Sequence, residues 1–138
     1  MALNNIAKIL LVDDEPDITF TITNILEDYG FKVNCFNNPI LALKSYKTNF
    51  YDLVILDIKM PKMDGFELYA KLREQDSKVK VCFLTAIATF DEERKIVSRI
   101  SKIIGIECFI QKPLKNDDLL RKLISIIDKD TSILQNKE

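Results

Sequence analysis

The chain has 138 residues, which suits one domain able to bury a two-sided core. Hydrophobic residues make up 47 % and charged residues 30 %, with a net charge of −1, so no global basic field points to nucleic acid or a membrane surface. Histidine is absent, which excludes histidine acid–base chemistry, histidine metal ligation and a phosphohistidine of the chain's own.

In chain order, short β-branched runs alternate with helical periodicity. Residues 7–12 read as a strand that ends on Asp13 and Asp14. Pro16 can open a helix with Ile18, Ile22, Ile25, Leu26 and Tyr29 on one face and Gly30 as its stop signal. A second strand is predicted over 32–36, then a helix capped by Asn38 with Pro39 in its first turn. The run 52–56 is apolar from Leu53 to Leu56, as a strand buried on both faces should be, and leads to Asp57. Pro61 and Met63-Asp64-Gly65 keep the next loop short and bent. Phe66, Tyr69, Ala70 and Leu72 mark a third helix. A strand over 79–84 ends on Thr85, and the Thr89-x-x-Glu92 capping box starts a helix marked by Phe90, Val97, Ile100 and Ile104. The strand 106–110 leads to Lys112-Pro113, an X–Pro bond with a low cis penalty that would aim the lysine back towards the other strand ends. A fifth helix follows, capped by Asn116 and marked by Leu119, Leu120, Leu123, Ile124 and Ile127. Residues 129–138 turn polar and read as a tail or the start of a linker, leaving 1–128 as the domain.

Five βα repeats specify an α/β fold: a doubly wound parallel sheet with helices on both faces. Cys35, Cys82 and Cys108 fall inside predicted strands, with no CxxC pair. They are expected to be reduced core thiols in a cytosolic protein. Met1 to Lys8 has no signal-peptide pattern, and no apolar stretch approaches the ~20 residues of a membrane span, so a cytoplasmic chain is expected.

In an open parallel sheet the carboxyl ends of the strands share one edge, where ligands bind. Asp13, Asp14, Asp57, Thr85 and Lys112 would converge there. Taken singly, each has a bland explanation: a helix cap for the acids, an ordinary strand-end residue for Thr85, solvated surface for Lys112. Taken together, three carboxylates repel unless a proton or a cation intervenes, and magnesium suits such hard oxygen ligands. Asp57 is the candidate nucleophile, because a carboxylate can attack a phosphoryl group to form an aspartyl phosphate. A cation would offset the repulsion between the two anions. The Lys112 ammonium can neutralise phosphate as a point charge, and the Thr85 hydroxyl can donate to a phosphoryl oxygen.

The strings Leu11-Val12-Asp13-Asp14-Glu15-Pro16, Leu56-Asp57-Ile58-Lys59-Met60-Pro61-Lys62-Met63-Asp64-Gly65, Leu84-Thr85-Ala86 and Lys112-Pro113 resemble the receiver domain of two-component response regulators over roughly residues 7–128. The resemblance implies a flavodoxin-like five-stranded sheet of order 2-1-3-4-5. It implies phosphorylation of Asp57 by a sensor histidine kinase. It also implies magnesium or manganese held by Asp13, Asp14, Asp57 and the backbone carbonyl of Lys59, with Thr85 and Lys112 on the phosphoryl oxygens. Thr85 and Phe109 would be the switch pair: Thr85 moves towards the phosphate and Phe109 rotates inward behind it. Such a protein is an enzyme only in catalysing its own phosphorylation and slow dephosphorylation. With no helix-turn-helix after the receiver, output is expected through contacts with an effector protein or a missing output domain. No direct nucleic-acid or membrane contact is expected, and the protein would be a monomer or a phosphorylation-dependent dimer.

Lys59 and Ile87 occupy the two variable positions that tune phosphoryl lifetime in this family. Lys59 could pair with the phosphoryl group or with Glu15. Ile87 cannot orient an attacking water, so slow self-dephosphorylation is expected. The span from Thr85 to Lys112 is a few residues longer than is usual, with the extra length around 88–102, in the surface that meets partners. Three rival functions fit the sequence less well. An aspartate-nucleophile phosphatase or phosphotransferase acting on small molecules commonly needs a second acid two residues past the nucleophile, where this chain has Lys59. With only Gly30, Gly65 and Gly105, neither a GxGxxG motif nor a P-loop can be written, which disfavours nucleotide or flavin binding. A receiver-shaped scaffold that takes no phosphate is disfavoured by the complete acid–threonine–lysine set.

Overall fold

Apolar runs interrupted by turn residues build five parallel strands in a computed structural model that describes residues 7–103, 106–112 and 116–130. These are β1 (Lys8–Val12), β2 (Lys32–Phe36), β3 (Leu53–Asp57), β4 (Val81–Ala86) and β5 (Ile106–Lys112), hydrogen-bonded in the order β2-β1-β3-β4-β5. Helices α1 (Pro16–Asp28), α2 (Pro39–Ser45), α3 (Gly65–Gln75), α4 (Phe90–Ile100) and α5 (Asn116–Asp130) alternate with them. The flavodoxin-like doubly wound α/β fold expected from the sequence is therefore present.

Alternation of side chains along the strands divides the core into two layers. Leu10, Val12, Val54, Leu56 and Phe83 face α2, α3 and α4 and meet Ala42, Leu68, Leu72, Ile96 and Ile100. Ile9, Leu11, Leu53, Ile55 and Leu84 face α1 and α5 and meet Ile22, Leu26, Leu119 and Leu123. Every residue of β3 is buried, as its unbroken apolar run requires.

Asn38 and Thr89 cap their helices as read, although the Glu92 carboxylate reaches the Ala88 N–H rather than that of Thr89, and Asp64 adds a cap that the sequence reading did not single out. Asn38 accepts from the backbone N–H of Ile40 and Leu41, Asp64 from Glu67, and Thr89 from Glu92. Several expectations need correction. Tyr29, Phe90 and Val97, expected on the apolar faces of their helices, are exposed. Ile100 is buried as expected, with Ile96 four residues before it, so the core-facing stripe of α4 is rotated away from Phe90 and Val97. The stripe that buries Ile96 and Ile100 wins because it packs against β3 and β4. Ala70 is likewise exposed, while Leu68 is buried in its place. Cys82 is disulfide-bonded rather than a reduced thiol, and Cys35 is free but exposed on the edge strand β2. The expectations for Ile104, for the Lys112–Pro113 bond and for the side chains of Cys108, Asn116 and Ile127 fall outside the described residues.

Candidate functional site

Strand register decides which side chains meet. Val12 of β1 pairs with Leu56 of β3, so Asp13 and Asp57 both emerge one residue later at the same edge. Asp57 pairs with Leu84 of β4, which brings Thr85 to that rim, and Ala86 pairs with Lys112 at the end of β5. One carboxylate oxygen from each of Asp13, Asp14 and Asp57 lies within 4.8 Å of the others. The Lys112 ammonium is 2.8 Å from Asp13 Oδ2, 3.0 Å from Glu15 Oε1 and 3.6 Å from Asp57 Oδ1. Its side chain is only 10 % exposed, so these charges face each other largely out of water.

The surrounding backbone holds the acids in place. Asp13 donates its N–H to the Phe36 carbonyl and accepts Asn37 Nδ2 on its own carbonyl at 2.8 Å. Asn37 also donates to Thr19 Oγ1, which ties the β2–α2 turn and α1 to the end of β1. Ile58 N–H reaches the Leu84 carbonyl, and Gly65 N–H the Ile58 carbonyl, which folds the β3–α3 loop back over the strand end. A Cβ on Gly65 would stand 2.3 Å from the Asp57 carbonyl oxygen, so only glycine permits this approach of α3 to the acceptor strand.

The electrostatics follow from burial. Asp13 and Asp57 are buried, and desolvation is the main cause that raises both carboxyls above the ordinary value. Asp57 is pushed up to about 7, with the Asp13 charge as the next cause and Asp14 adding to it, against the opposing pull of Lys112. Burial works against the Lys112 ammonium, but Asp13, Glu15 and Asp57 hold its proton well above the usual lysine range. Asp13 Oδ2 is buried and, although it sits beside the Lys112 ammonium, accepts no hydrogen bond of regular geometry. Three close hard oxygens, mutual repulsion and a buried acceptor whose cationic neighbour, Lys112, is shared with Glu15 and Asp57 fit a divalent cation of the magnesium type.

Asp13, Asp14, Asp57, Thr85 and Lys112 are thus brought to one rim. Thr85 is fully buried, and its hydroxyl donates to the Ala86 carbonyl at 3.4 Å. Phe109, paired with Phe83 across the strands, is half-buried against the layer under α3 and α4. Lys59 does not pair with Glu15, because Lys112 takes that carboxylate. The Lys59 ammonium instead pairs with Glu92 and donates to the Ala86 carbonyl. Asn37 and Glu92 are the supporting residues that sequence reasoning missed. Glu92 carried a signal as the last residue of the capping box, whereas Asn37 carried none.

Residues 9–124 match the profile of the family described as response regulator receiver domain. Chemotaxis protein CheY of Listeria monocytogenes is 36 % identical over 117 residues, covering 84 % of this chain and 94 % of that one. Sensor protein EvgS of Escherichia coli K12 is 38 % identical over 112 residues, covering 81 % of this chain and 9 % of that one. The receiver domain of the Francisella response regulator 1452 superposes with a TM-score of 0.75 at 28 % identity, covering 91 % of this chain and 99 % of that one. The chain spans between 6 and 13 % of the length of the sensor kinases it matches.

Proposed function

The chain belongs to the response regulator receiver domain family of two-component signalling, and from that premise we propose that it is a phosphorylation switch whose acceptor is Asp57. The observation that carries this reading is the meeting of Asp13, Asp14 and Asp57 within 4.8 Å, with the Lys112 ammonium between Asp13 and Asp57.

Asp13, Asp14 and Asp57, with the Lys59 backbone carbonyl, would hold magnesium or manganese. When bound, the ion offsets the repulsion between carboxylate and phosphoryl group. A carboxylate oxygen of Asp57 attacks the phosphorus of a phosphohistidine on a sensor histidine kinase. The new bond is Asp57 O–P, the P–N bond breaks, and the electron pair leaves on the imidazole. Lys112 turns from Asp57 to the transferred phosphoryl oxygens, and Thr85 exchanges the Ala86 carbonyl for one of them. The added charge of roughly −1.5 to −2 biases a pre-existing equilibrium, with Phe109 packing inward behind Thr85. With Lys59 and Ile87 flanking the acceptor, self-dephosphorylation is slow, and catalysis extends no further than this uptake and loss.

The output passes through contacts with an effector protein or a further domain of the same polypeptide, without direct contact to nucleic acid. Among the described residues no helix is long and apolar enough to cross a membrane, in keeping with a cytoplasmic module that acts as a monomer or dimerises on phosphorylation. Intact mass after incubation with acetyl phosphate and magnesium tests the acceptor. Wild type gains one phosphoryl mass and Asp57→Ala none. A gain that persists in Asp57→Ala, or is absent from wild type, refutes it.

A further inference from the structure

A single carboxylate ties the acceptor loop to the segment that follows Thr85. Lys59, two residues past Asp57, sends its ammonium to the Ala86 carbonyl at 3.2 Å and pairs with Glu92 in the first turn of α4. Glu92 Oε1 also accepts the backbone N–H of Ala88 at 2.8 Å, and its own N–H is held by Thr89 Oγ1 at 3.1 Å. The Ala88 N–H and the Lys59 ammonium hold the Glu92 carboxyl below the usual carboxylate range. The Ala86 carbonyl in turn accepts the Thr85 hydroxyl. An isolated surface ion pair would contribute little. This one differs because the backbone of the β4–α4 loop fixes the Glu92 carboxylate in advance, and the cation it holds belongs to the acceptor loop.

Resting on the reading of Asp57 as acceptor, we propose that Glu92 is a positioning residue for phosphoryl transfer: it parks Lys59 against the Ala86 carbonyl, withholding a second ammonium from the incoming phosphoryl dianion. Lys112, ion-paired with Asp13 and Asp57, is then left to meet the donor without a second ammonium, and the site binds small anionic donors weakly. When Thr85 leaves the Ala86 carbonyl for the phosphoryl group, the Lys59 bond keeps that carbonyl satisfied, so the loop can rearrange without orphaning a backbone acceptor. With acetyl phosphate as donor, the phosphorus bonds to Asp57, the donor's acyl P–O bond breaks, and the electron pair leaves on acetate. The residue set free by losing Glu92 changes donor binding and takes no part in that bond exchange.

Glu92→Gln keeps an acceptor for the Ala88 N–H and removes the charge that holds Lys59. Initial rates of phosphoryl uptake by the full chain, with magnesium and a range of acetyl phosphate concentrations, separate donor binding from the limiting rate. Glu92→Gln should lower the half-saturating donor concentration by up to about fivefold, with the limiting rate nearly unchanged. In a Lys59→Met background the same substitution should do nothing. An unchanged half-saturation in Glu92→Gln, or a drop that persists without Lys59, overturns the inference, the latter because Glu92 would then act through its own field. A readout without donor stands apart from the acceptor reading: Glu92→Gln should shift the Lys59 side-chain NMR resonances while the Ala88 amide stays in place. Unmoved Lys59 resonances overturn the proposal even where wild type takes up phosphate. A wild type that takes up none removes the acceptor reading and this inference with it.

Discussion

Within β3, Leu56 and Asp57 are neighbours that solve opposite problems. Leu56 is fully buried between apolar layers and stabilises the fold by leaving water. Asp57 is as deeply placed, 3 % exposed, yet it carries an ionisable group beside two others. The strand interior is organised for stability. The rim carries electrostatic stress that a proton, Lys112 or a cation must relieve. Repulsion of this kind suits a site that takes up a cation, and it is a common reason that functional sites destabilise the folds that hold them.

Substitutions on the two sides of this boundary should move stability in opposite directions. Leu56→Ala leaves a cavity in a layer that cannot fully collapse and should cost about 3–5 kcal/mol, read from urea denaturation. Asp57→Asn removes a charge that burial opposes, so in chelator at pH 8 it should be more stable than wild type by about 2–3 kcal/mol. The sign follows from a raised carboxyl: its stabilising protonated form is fully populated below the unfolded value near 4. That contribution is lost as pH rises through about 7. The advantage of Asp57→Asn should therefore grow between pH 4 and 8 and vanish at the acid end. A constant advantage would mean that the rim is not electrostatically stressed. Thr89→Ala, away from both regions, removes the hydroxyl that caps Glu92 N–H together with an exposed methyl and should cost about 1 kcal/mol.

The boundary between these regions was legible in the sequence because it coincides with a change of residue type. Leu53 to Leu56 and Val81 to Leu84 are apolar, and Asp57 and Thr85 are not, so strand ends and candidate site residues were marked by the same step. That these strand ends meet then followed from the parallel sheet, whose strands bring their carboxyl ends to one edge, whereas the register itself is read from the structure. Contacts made by loops were not legible. Asn37 reaches Asp13 across 24 positions and Glu92 reaches Lys59 across 33, and neither partner sits in a periodic pattern. Glu15 could serve Lys59 or Lys112 as far as spacing shows. The side chain that is only 10 % exposed won it, because a buried ammonium needs more compensation than an exposed one. Phe90 and Val97 failed for another reason. Helical periodicity gives a face, but only the packing partners of α4 choose between two faces that both carry apolar residues.

The relief of the rim by a cation can be measured directly. Magnesium titrated into the donor-free protein by calorimetry at pH 7, in two buffers of different ionisation enthalpy, reports both affinity and protons released. The account predicts one ion per chain and release of part of a proton, as Asp57, raised to about 7, gives up its proton to the ion. It also predicts that binding weakens sharply in Asp57→Asn. Magnesium binding that releases no proton and is unaffected by Asp57→Asn would contradict it.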